Sequence, residues 1–219
     1  NGLNLLENNG AHYSITGTNV APADWQNADW QEVIQFEVEH LGRLGDAAVQ
    51  LDAVLLHIAY DNGTPMDEFL ASQLIDAVEI YVDKNGDETW DGGDYLLASE
   101  SPAPVDGDME IAVLASETKT SFGSTNTYFV VLELASGAES AGVPAFEVQL
   151  GTCSSIAVHE DRVDIELSPL STGDILATVA LIDTDSDGYP DGGDNCPEFA
   201  NDQTDADNDL FGPPCDCDD

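Results

Sequence analysis

Apolar residues recur mainly at every second position through the first 182 residues of the chain. Residues 34–39 read Ile-Gln-Phe-Glu-Val-Glu, and residues 77–82 show the same period. Successive side chains of a β-strand point to opposite faces, so this pattern predicts strands with one buried and one solvated face. Further strand candidates are residues 12–18, 49–59, 95–99, 109–115, 127–134, 146–150, 156–159, 163–167 and 175–182. About ten short strands separated by Gly, Asn, Asp and Ser predict an all-β fold, an antiparallel β-sandwich.

One segment has a different period. Thr64 and Pro65 are suited to the cap and first turn of a helix, and Asp67 is placed to complete a capping box. Phe69 and Leu74 would then share one face with Leu70. We expect a short helix across one end of the sandwich, with a loop as the alternative.

The alternation stops near Ile182, and this point is the predicted domain boundary. Residues 183–219 contain few large apolar side chains, namely Tyr189, Phe199, Leu210 and Phe211. Such a segment cannot bury enough surface to offset its ordering entropy without metal or disulfides. We therefore predict a sandwich domain at residues 1–182, with an extended N-terminal segment at residues 1–10, followed by an irregular segment at residues 183–219.

The charge of the chain is strongly unbalanced, with 44 acidic residues against 4 Lys and Arg and a formal net charge of −40. A chain this acidic repels itself, so counter-ions are expected to be part of the native state. The same charge excludes binding of nucleic acid through a basic patch. No apolar run approaches 20 residues, which argues against membrane insertion.

Residues 183–219 contain 13 carboxylates, 12 of them Asp. This clustering favours specific cation sites there, beside a generally acidic surface elsewhere.

The four cysteines are Cys153, Cys196, Cys215 and Cys217. An even number in a region poor in apolar residues indicates disulfides, which predicts a secreted, extracellular or cell-surface protein. Three pairings are possible. Zinc is the competing interpretation, but the C-x-C spacing lacks the usual two-residue gap.

A 12-residue segment that begins at Asp183 has the spacing of a calcium-binding loop. Calcium takes six to eight hard oxygen ligands, and loops that bind it place oxygens at alternate positions around a glycine turn. Gly188 stands at position 6, and Tyr189 would contribute its backbone carbonyl at position 7. The side-chain oxygens at positions 1, 3, 5, 9 and 12 are those of Asp183, Asp185, Asp187, Asp191 and Asp194.

A second such segment lies between two predicted strands. It has Gly86 at position 4 rather than 6, which weakens the match, and an acidic Asn-Gly hairpin turn is the alternative. The predicted ligands are Asp83, Asn85, Asp87, Thr89, Asp91 and Asp94. A strand, an acidic loop with a central Trp and a second strand resemble the repeat of bacterial and archaeal surface-exposed sandwich modules, as does the strand at residues 128–134.

The residues that follow Asp194 form a further pattern: Asn-Cys-Pro at 195–197, Asn201 and Gln203, alternating Asp at 205–209, and Cys-Asp at 215–216. This pattern resembles the thrombospondin type 3 repeat, in which chain wraps around calcium with little hydrophobic core. The resemblance covers about the last 37 residues. It implies a second ion at Asp205, Asp207, Asp209 and Asp216, with Asn201 as a bridging ligand.

The resemblance also implies a disulfide between Cys196 and Cys215, which leaves Cys153 and Cys217 as a second pair. The chain departs from the repeat at residues 210–214, and Pro213 stands at position 9 without a side-chain oxygen. The stretch between Asn201 and Gln203 is also one residue shorter than usual. These departures weaken the prediction of the second ion site.

No catalytic motif includes His12, His40, His57 or His159, and we predict that the chain is not an enzyme. His57 is expected to be a hydrogen-bonded core side chain. The near repeat around Trp25 and Trp30 permits a sugar-binding platform, but anchoring of a loop to the sandwich is favoured.

Together these features predict a calcium-stabilised extracellular structural protein. It would be a cell-surface or filament subunit that assembles with copies of itself when residues 1–10 add a strand to a neighbour. The alternative is an adhesive module that binds surface polysaccharide or protein, displayed on a calcium-rigidified spacer.

Overall fold

The computed structural model describes residues 13–25, 28–113, 115–151, 156–160 and 174–216. Several predictions lie outside these residues: the N-terminal segment 1–10, His12, the strand at 163–167, and the pairing of Cys153 with Cys217.

The described part of the chain contains eleven strands, one α-helix and two short 3₁₀ helices, at Ala115–Glu117 and Ala138–Ala141. The α-helix α1 is Glu68–Leu74. The strands are β1 Tyr13–Asn19, β2 Trp30–His40, β3 Val49–Tyr60, β4 Ile75–Val82, β5 Tyr95–Glu100, β6 Asp108–Ala112, β7 Lys119–Thr120, β8 Thr125–Leu134, β9 Ala145–Gly151, β10 Ile156–Glu160 and β11 Asp174–Ala180.

The strands form two antiparallel sheets, as the sequence predicted. The first sheet has the order β1-β2-β8-β4-β5. In the second sheet, β9 and β10 follow one another along one side of β3, and β6 and β7 pair with the other side. Strand β11 pairs with the outer side of β9. The two sheets enclose one core, and the fold is an all-β sandwich.

Alternate residues of the first sheet pack against the second sheet. Phe36 and Tyr128 are fully buried and stack with ring centroids 5.1 Å apart. Burial raises the pKa of Tyr128 to about 12, and its hydroxyl donates to the Thr118 carbonyl at 3.1 Å. Each large apolar side chain buried in this way contributes about 1.5–3 kcal/mol to folding.

The other face of the first sheet, which we call the outer face, is also covered. Phe129 and Val131 lie on it and are fully buried. Gln35 and Tyr81 are the cross-strand partners of Phe129. The β4–β5 loop contacts both of these partners, through the Glu88 carbonyl and the Trp90 ring respectively. The loop predicted to bind calcium therefore packs across the sheet.

The short helix was predicted, but its start and its buried face were partly wrong. The N-cap is Asp67, whose carboxylate accepts the Leu70 N–H at 2.9 Å, because a carboxylate at this position satisfies a free N–H of the first turn. Pro65 instead forms an isolated bridge with Ala59. Phe69 is 72% exposed, whereas Leu74 is buried. Strand β7 was not predicted.

Trp25 anchors its segment to the sandwich. Its side chain is 1% exposed, and its backbone N–H donates to the Ala180 carbonyl at 3.0 Å. A buried ring cannot stack on a sugar, so the alternative of a platform formed by Trp25 and Trp30 is wrong. Among the described residues, no helix is long and apolar enough to cross a membrane.

Candidate metal centres

Three loops of the chain share one hydrogen-bonded scaffold. In the loop that begins at Asp183, the Ser186 N–H donates to one carboxylate oxygen of Asp183 at 2.8 Å and the Gly188 N–H to the other at 2.9 Å. The same two bonds, from positions 4 and 6 to the carboxylate at position 1, form in the loops that begin at Asp83 and Asp205. We call these the 83–94, 183–194 and 205–216 loops.

This scaffold requires a left-handed backbone at positions 4 and 6 of each loop. The φ values at these positions are 76° and 59° for Gly86 and Glu88, 63° and 96° for Ser186 and Gly188, and 64° and 79° for Asn208 and Leu210. A residue with a Cβ pays roughly 1–2 kcal/mol in this region. Because both positions adopt it, glycine at either one relieves the strain. The location of Gly86 at position 4 therefore does not distinguish the 83–94 loop from the 183–194 loop.

The side chains at positions 3 and 5 are held by the backbone that follows them. In the 183–194 loop, the Asp187 N–H donates to Asp185 at 3.1 Å and the Tyr189 N–H donates to Asp187 at 3.0 Å. Equivalent bonds form in the other two loops. Asp183, Asp185 and Asp187 each contribute one carboxylate oxygen, and these three oxygens lie within 4.8 Å of one another. Like charges therefore converge in this loop. The same holds for Asp205, Asp207 and Asp209.

Two carboxylate oxygens of the 183–194 loop are buried without a hydrogen-bond partner among the described residues, Asp185 Oδ2 and Asp194 Oδ2. Asp194 Oδ1 accepts the Cys196 N–H and the Gln203 amide, each at 2.8 Å. Burial, and then the charges of the neighbouring carboxylates, raise the pKa of Asp185. The pKa of Asp187 is lowered, mainly by the N–H of Asn201. The loop thus brings carboxylate oxygens together, and two of its buried oxygens have no hydrogen-bond donor among the described residues.

Position 9 plays a different part from the other ligand positions. Both oxygens of Asp191 accept hydrogen bonds from Thr184, from its N–H at 2.8 Å and its hydroxyl at 2.7 Å. Asp191 therefore closes the loop. In calcium loops this position often acts through a water molecule, which is compatible with that arrangement.

The structure places Asn201 against the 183–194 loop. Its N–H donates to Asp187 Oδ2 at 3.1 Å and its side-chain amide to Asn195 at 2.9 Å. Its own side-chain oxygen accepts the Gln203 N–H at 2.7 Å. Asn201 thus orients Asp187, a predicted ligand of the first tail ion. Its role as a bridging ligand stays a prediction.

The predicted disulfide between Cys196 and Cys215 is confirmed, with the two Cα atoms 5.4 Å apart. It ties the 205–216 loop to the residues that follow the 183–194 loop. The 183–194 loop in turn rests on the sandwich, because the Ser140 hydroxyl donates to the Gly192 carbonyl at 2.8 Å. A Cβ on Gly193 would lie 2.9 Å from the Glu139 carbonyl, so only glycine permits this approach.

Asp94 of the 83–94 loop and Glu32 of β2, which the sequence did not single out, each have one buried carboxylate oxygen without a hydrogen-bond partner among the described residues. Asp94 Oδ2 accepts the Asp91 N–H at 2.8 Å, whereas Asp94 Oδ1 is buried and has no partner in the described part of the chain. Glu32 Oε1, on β2, is also buried and has no hydrogen-bond partner among the described residues. Burial, and then the charge of Asp94, raise the pKa of Glu32 to about 7. Burial is also the main reason that the pKa of Asp94 is raised.

No protein-family model matches the chain. No curated protein matches it either. Three solved structures that resemble it are domains or proteins described as adhesins or as part of a surface protein. The N-terminal domain of the Streptococcus gordonii adhesin Sgo0707 is 13% identical with a TM-score of 0.34, over 78% of this chain and 32% of that chain.

ACE19, the collagen binding subdomain of the Enterococcus faecalis surface protein ACE, is 7% identical with a TM-score of 0.30, over 76% of this chain and 95% of that one. The CupB6 tip adhesin from Pseudomonas aeruginosa is 14% identical with a TM-score of 0.26, over 74% of this chain and 48% of that one. The chain thus spans about a third of the length of the first of these proteins. At these TM-scores the similarity carries no inference about function.

The donor atoms of all three loops are oxygens, which suits hard divalent cations rather than zinc or copper.

His57 lies outside the loops. Its Nδ1 is 2.7 Å from Asp108, so the predicted hydrogen bond exists, but the His57 side chain is 32% exposed rather than part of the core.

Proposed function

We propose that the chain is a calcium-stabilised extracellular structural protein without catalytic activity. The observation that supports this most directly is the pair of buried carboxylate oxygens in the 183–194 loop, on Asp185 and Asp194, which no described hydrogen-bond donor satisfies. Burial of an ionised oxygen without a partner is costly, and a bound cation removes that cost. Calcium fits best because it accepts irregular sets of six to eight oxygens, whereas magnesium demands near-octahedral geometry.

The net charge of −40 supports the same proposal. The ion pairs found among the described residues are His57 with Asp108 and Lys84 with Glu117, and neither lies in the 183–194 or 205–216 loop. Bound calcium would neutralise part of the charge exactly where carboxylates converge. The tail loops would then be ordered by calcium, as the thrombospondin type 3 resemblance implies, because large apolar side chains such as Tyr189 and Phe199 are exposed there.

The disulfide between Cys196 and Cys215 supports a location outside a reducing cytoplasm. Extracellular calcium modules bind with dissociation constants of roughly 10⁻⁴–10⁻³ M. We expect affinities in this range.

For the structural role, we propose assembly of copies by β-strand addition. Strand β5 is the outer strand of the first sheet, and Tyr95 and Leu96 on it are exposed. Residues 1–10 precede β1, which is the outer strand at the opposite side of that sheet. A donor segment at one edge and an acceptor strand at the other would give a head-to-tail contact, and such contacts propagate into filaments or rings.

Calcium removal tests the first part of the proposal. We expect chelation to lower the melting temperature and to expose residues 183–216 to protease, with recovery on addition of calcium but not of an equal concentration of magnesium. Asp187→Asn should weaken calcium binding measured by calorimetry, and Glu198→Gln, an exposed change in the same segment, should not. A melting curve that does not change in chelator would refute calcium stabilisation.

Electron microscopy with and without chelator tests assembly. Filaments in calcium that disappear when residues 1–10 are deleted would support strand addition. Monodisperse monomers in millimolar calcium would favour the alternative of an adhesive module, which binding to polysaccharide and matrix-protein panels would then examine.

A further inference from the structure

The sandwich has two different ends. We call the end formed by residues 41–48 and 121–124 the loop end, and the end that carries residues 183–216 the tail end. The His40 N–H donates to the Ser124 carbonyl at 3.1 Å, and this bond places the two loops of the loop end side by side.

Strand β3 separates the two ends. It begins at Val49, directly after residues 41–48, and its last residue, Tyr60, pairs with Phe146. Phe146 pairs in turn with Val179, near the end of β11, from which the chain continues into the tail. The 12 residues of β3, at a rise of about 3.3 Å each, span about 36 Å, so the two ends lie on opposite sides of the sandwich.

A buried histidine fixes the β2–β3 loop at the loop end. His40 is 1% exposed; its Nδ1 accepts the Gly42 N–H at 3.0 Å, and its Nε2 lies 2.9 Å from the Ala47 carbonyl. The Asp46 carboxylate also accepts the Arg43 N–H at 2.6 Å. A loop held at several points loses little conformational entropy when it binds a partner.

This fixed loop exposes apolar side chains beside an unpaired base. Leu44 is 89% exposed, Leu41 is 41% exposed, and Phe122 of the neighbouring loop is 45% exposed. Arg43 is exposed, and its guanidinium makes no ion pair with a described residue, although the chain has 44 acidic side chains. Arginine and aromatic side chains are enriched in protein interfaces, so the loop end has the composition of a binding surface.

The tail end has the complementary character. Residues 183–219 contain 12 Asp and no Lys or Arg. Phe199 is 56% exposed, and Leu210 and Phe211 are 80% and 58% exposed. Carboxylates pair with guanidinium groups through two parallel hydrogen bonds, and exposed apolar groups gain free energy when they leave water together. Each end therefore offers what the other lacks.

We propose that the loop end of one copy of the chain binds the tail end of a second copy. Arg43 pairs with carboxylates of the tail, and Leu44 and Phe122 pack against its exposed apolar side chains. This deepens the proposed assembly of copies and rests on it, but it does not depend on strand addition. Copies with a net charge of −40 repel one another, so the calcium proposed for the tail loops has to bind before the ends meet.

The geometry of this contact favours a filament. The two surfaces differ and lie at opposite ends, so every bound copy leaves one free surface of each kind, and such a contact repeats along a line. Residues 1–10 precede Tyr13, which pairs with His40 at the loop end. Strand addition and the end-to-end contact therefore join the same two copies.

Variants that each disable one end test the proposal. Arg43→Glu with Leu44→Asp disables the loop end, and Leu210→Asn with Phe211→Asn disables the tail end, where asparagine tolerates the left-handed backbone of Leu210. All four side chains are exposed, so the fold should be retained, and melting curves and calcium calorimetry check this. Arg43→Gln alone is the milder variant, and Leu176→Asp, an exposed change within β11, is the control.

Sedimentation velocity in millimolar calcium measures the association. Each double variant alone should show a dissociation constant roughly 10- to 100-fold higher than the wild type, and Leu176→Asp should match the wild type. An equimolar mixture of the two double variants should restore pairs of wild-type strength, because one intact loop end then meets one intact tail end.

Two results would overturn this inference while leaving the proposed assembly in place. One is wild-type association in both double variants, which would assign assembly to strand addition alone. The other is a mixture that associates no better than its components. A wild-type protein that stays monomeric in calcium would overturn the proposed assembly and the end-to-end contact together.

Discussion

Removal of the disulfide between Cys196 and Cys215 should release the tail while the sandwich stays folded. The two residues are separated by 19 positions. Loss of a cross-link that closes a loop of this length raises the conformational entropy of the unfolded segment. This destabilises the folded tail by about 3 kcal/mol at 25 °C. Few apolar contacts oppose the release, because Leu210 is 80% and Phe211 58% exposed.

Hydrogen exchange measured by mass spectrometry on Cys196→Ala with Cys215→Ala checks this magnitude. The N–H groups of Leu210 and Phe211 donate to Asp205 and Asp209, so their exchange reports opening of the 205–216 loop. A loss of about 3 kcal/mol accelerates their exchange roughly 150-fold where exchange is limited by local opening. Cys196 is fully buried, and the cavity left by alanine adds to the loss.

Strand β8, at the centre of the first sheet, is the internal control and should keep its protection. The measurement is made in chelator and in calcium, since ligand binding to the folded tail offsets part of the loss. An acceleration of less than about tenfold in chelator would refute the reasoning. A factor of ten corresponds to about 1.4 kcal/mol, which is less than half of the destabilisation expected from the entropy of the unfolded segment. Equal acceleration in β8 would show that the tail and the sandwich open together.

Two further predictions concern the sandwich. Asp67→Ala should lower the free energy of unfolding by about 1 kcal/mol in urea titrations, because the Leu70 N–H loses its cap, and Asp76→Ala at an exposed position should change it less. In chelator, stability should fall as pH rises from about 4.5 to about 7, since burial and the charge of Asp94 raise the pKa of Glu32 from 4.5 to about 7 and the unfolded chain releases this proton first. Glu32→Gln should flatten that part of the pH profile, and a slope that Glu32→Gln leaves intact would assign the titration to another group.

The strands and the loops were largely predictable because both depend on neighbours in sequence. The alternation at residues 34–39 and 77–82 reflects the pleat of a strand, and β2 and β4 contain these segments. The scaffold of the 183–194 loop is equally local, since both bonds to Asp183 come from residues no more than five positions away. The 83–94 loop forms the same scaffold although its glycine stands at a different position, because Glu88 also adopts the left-handed backbone.

The start of the helix was missed because Pro65 pairs with Ala59 instead of beginning the helix. The favoured anchoring of the Trp25 segment is confirmed, but the sequence did not reveal its partner, because that segment lies beside Leu181, more than 150 residues later.

The sequence by itself determined an all-β fold, an acidic irregular tail and the spacing of the oxygens in each loop. These features follow from side-chain period and from turns that close within a few residues. Only the tertiary structure decided that Glu32 lies on the outer face of the first sheet. One shift in the pairing of β2 with β8 moves Glu32 from the core side to the outer face, and packing between strands, rather than the period of β2 alone, sets that shift.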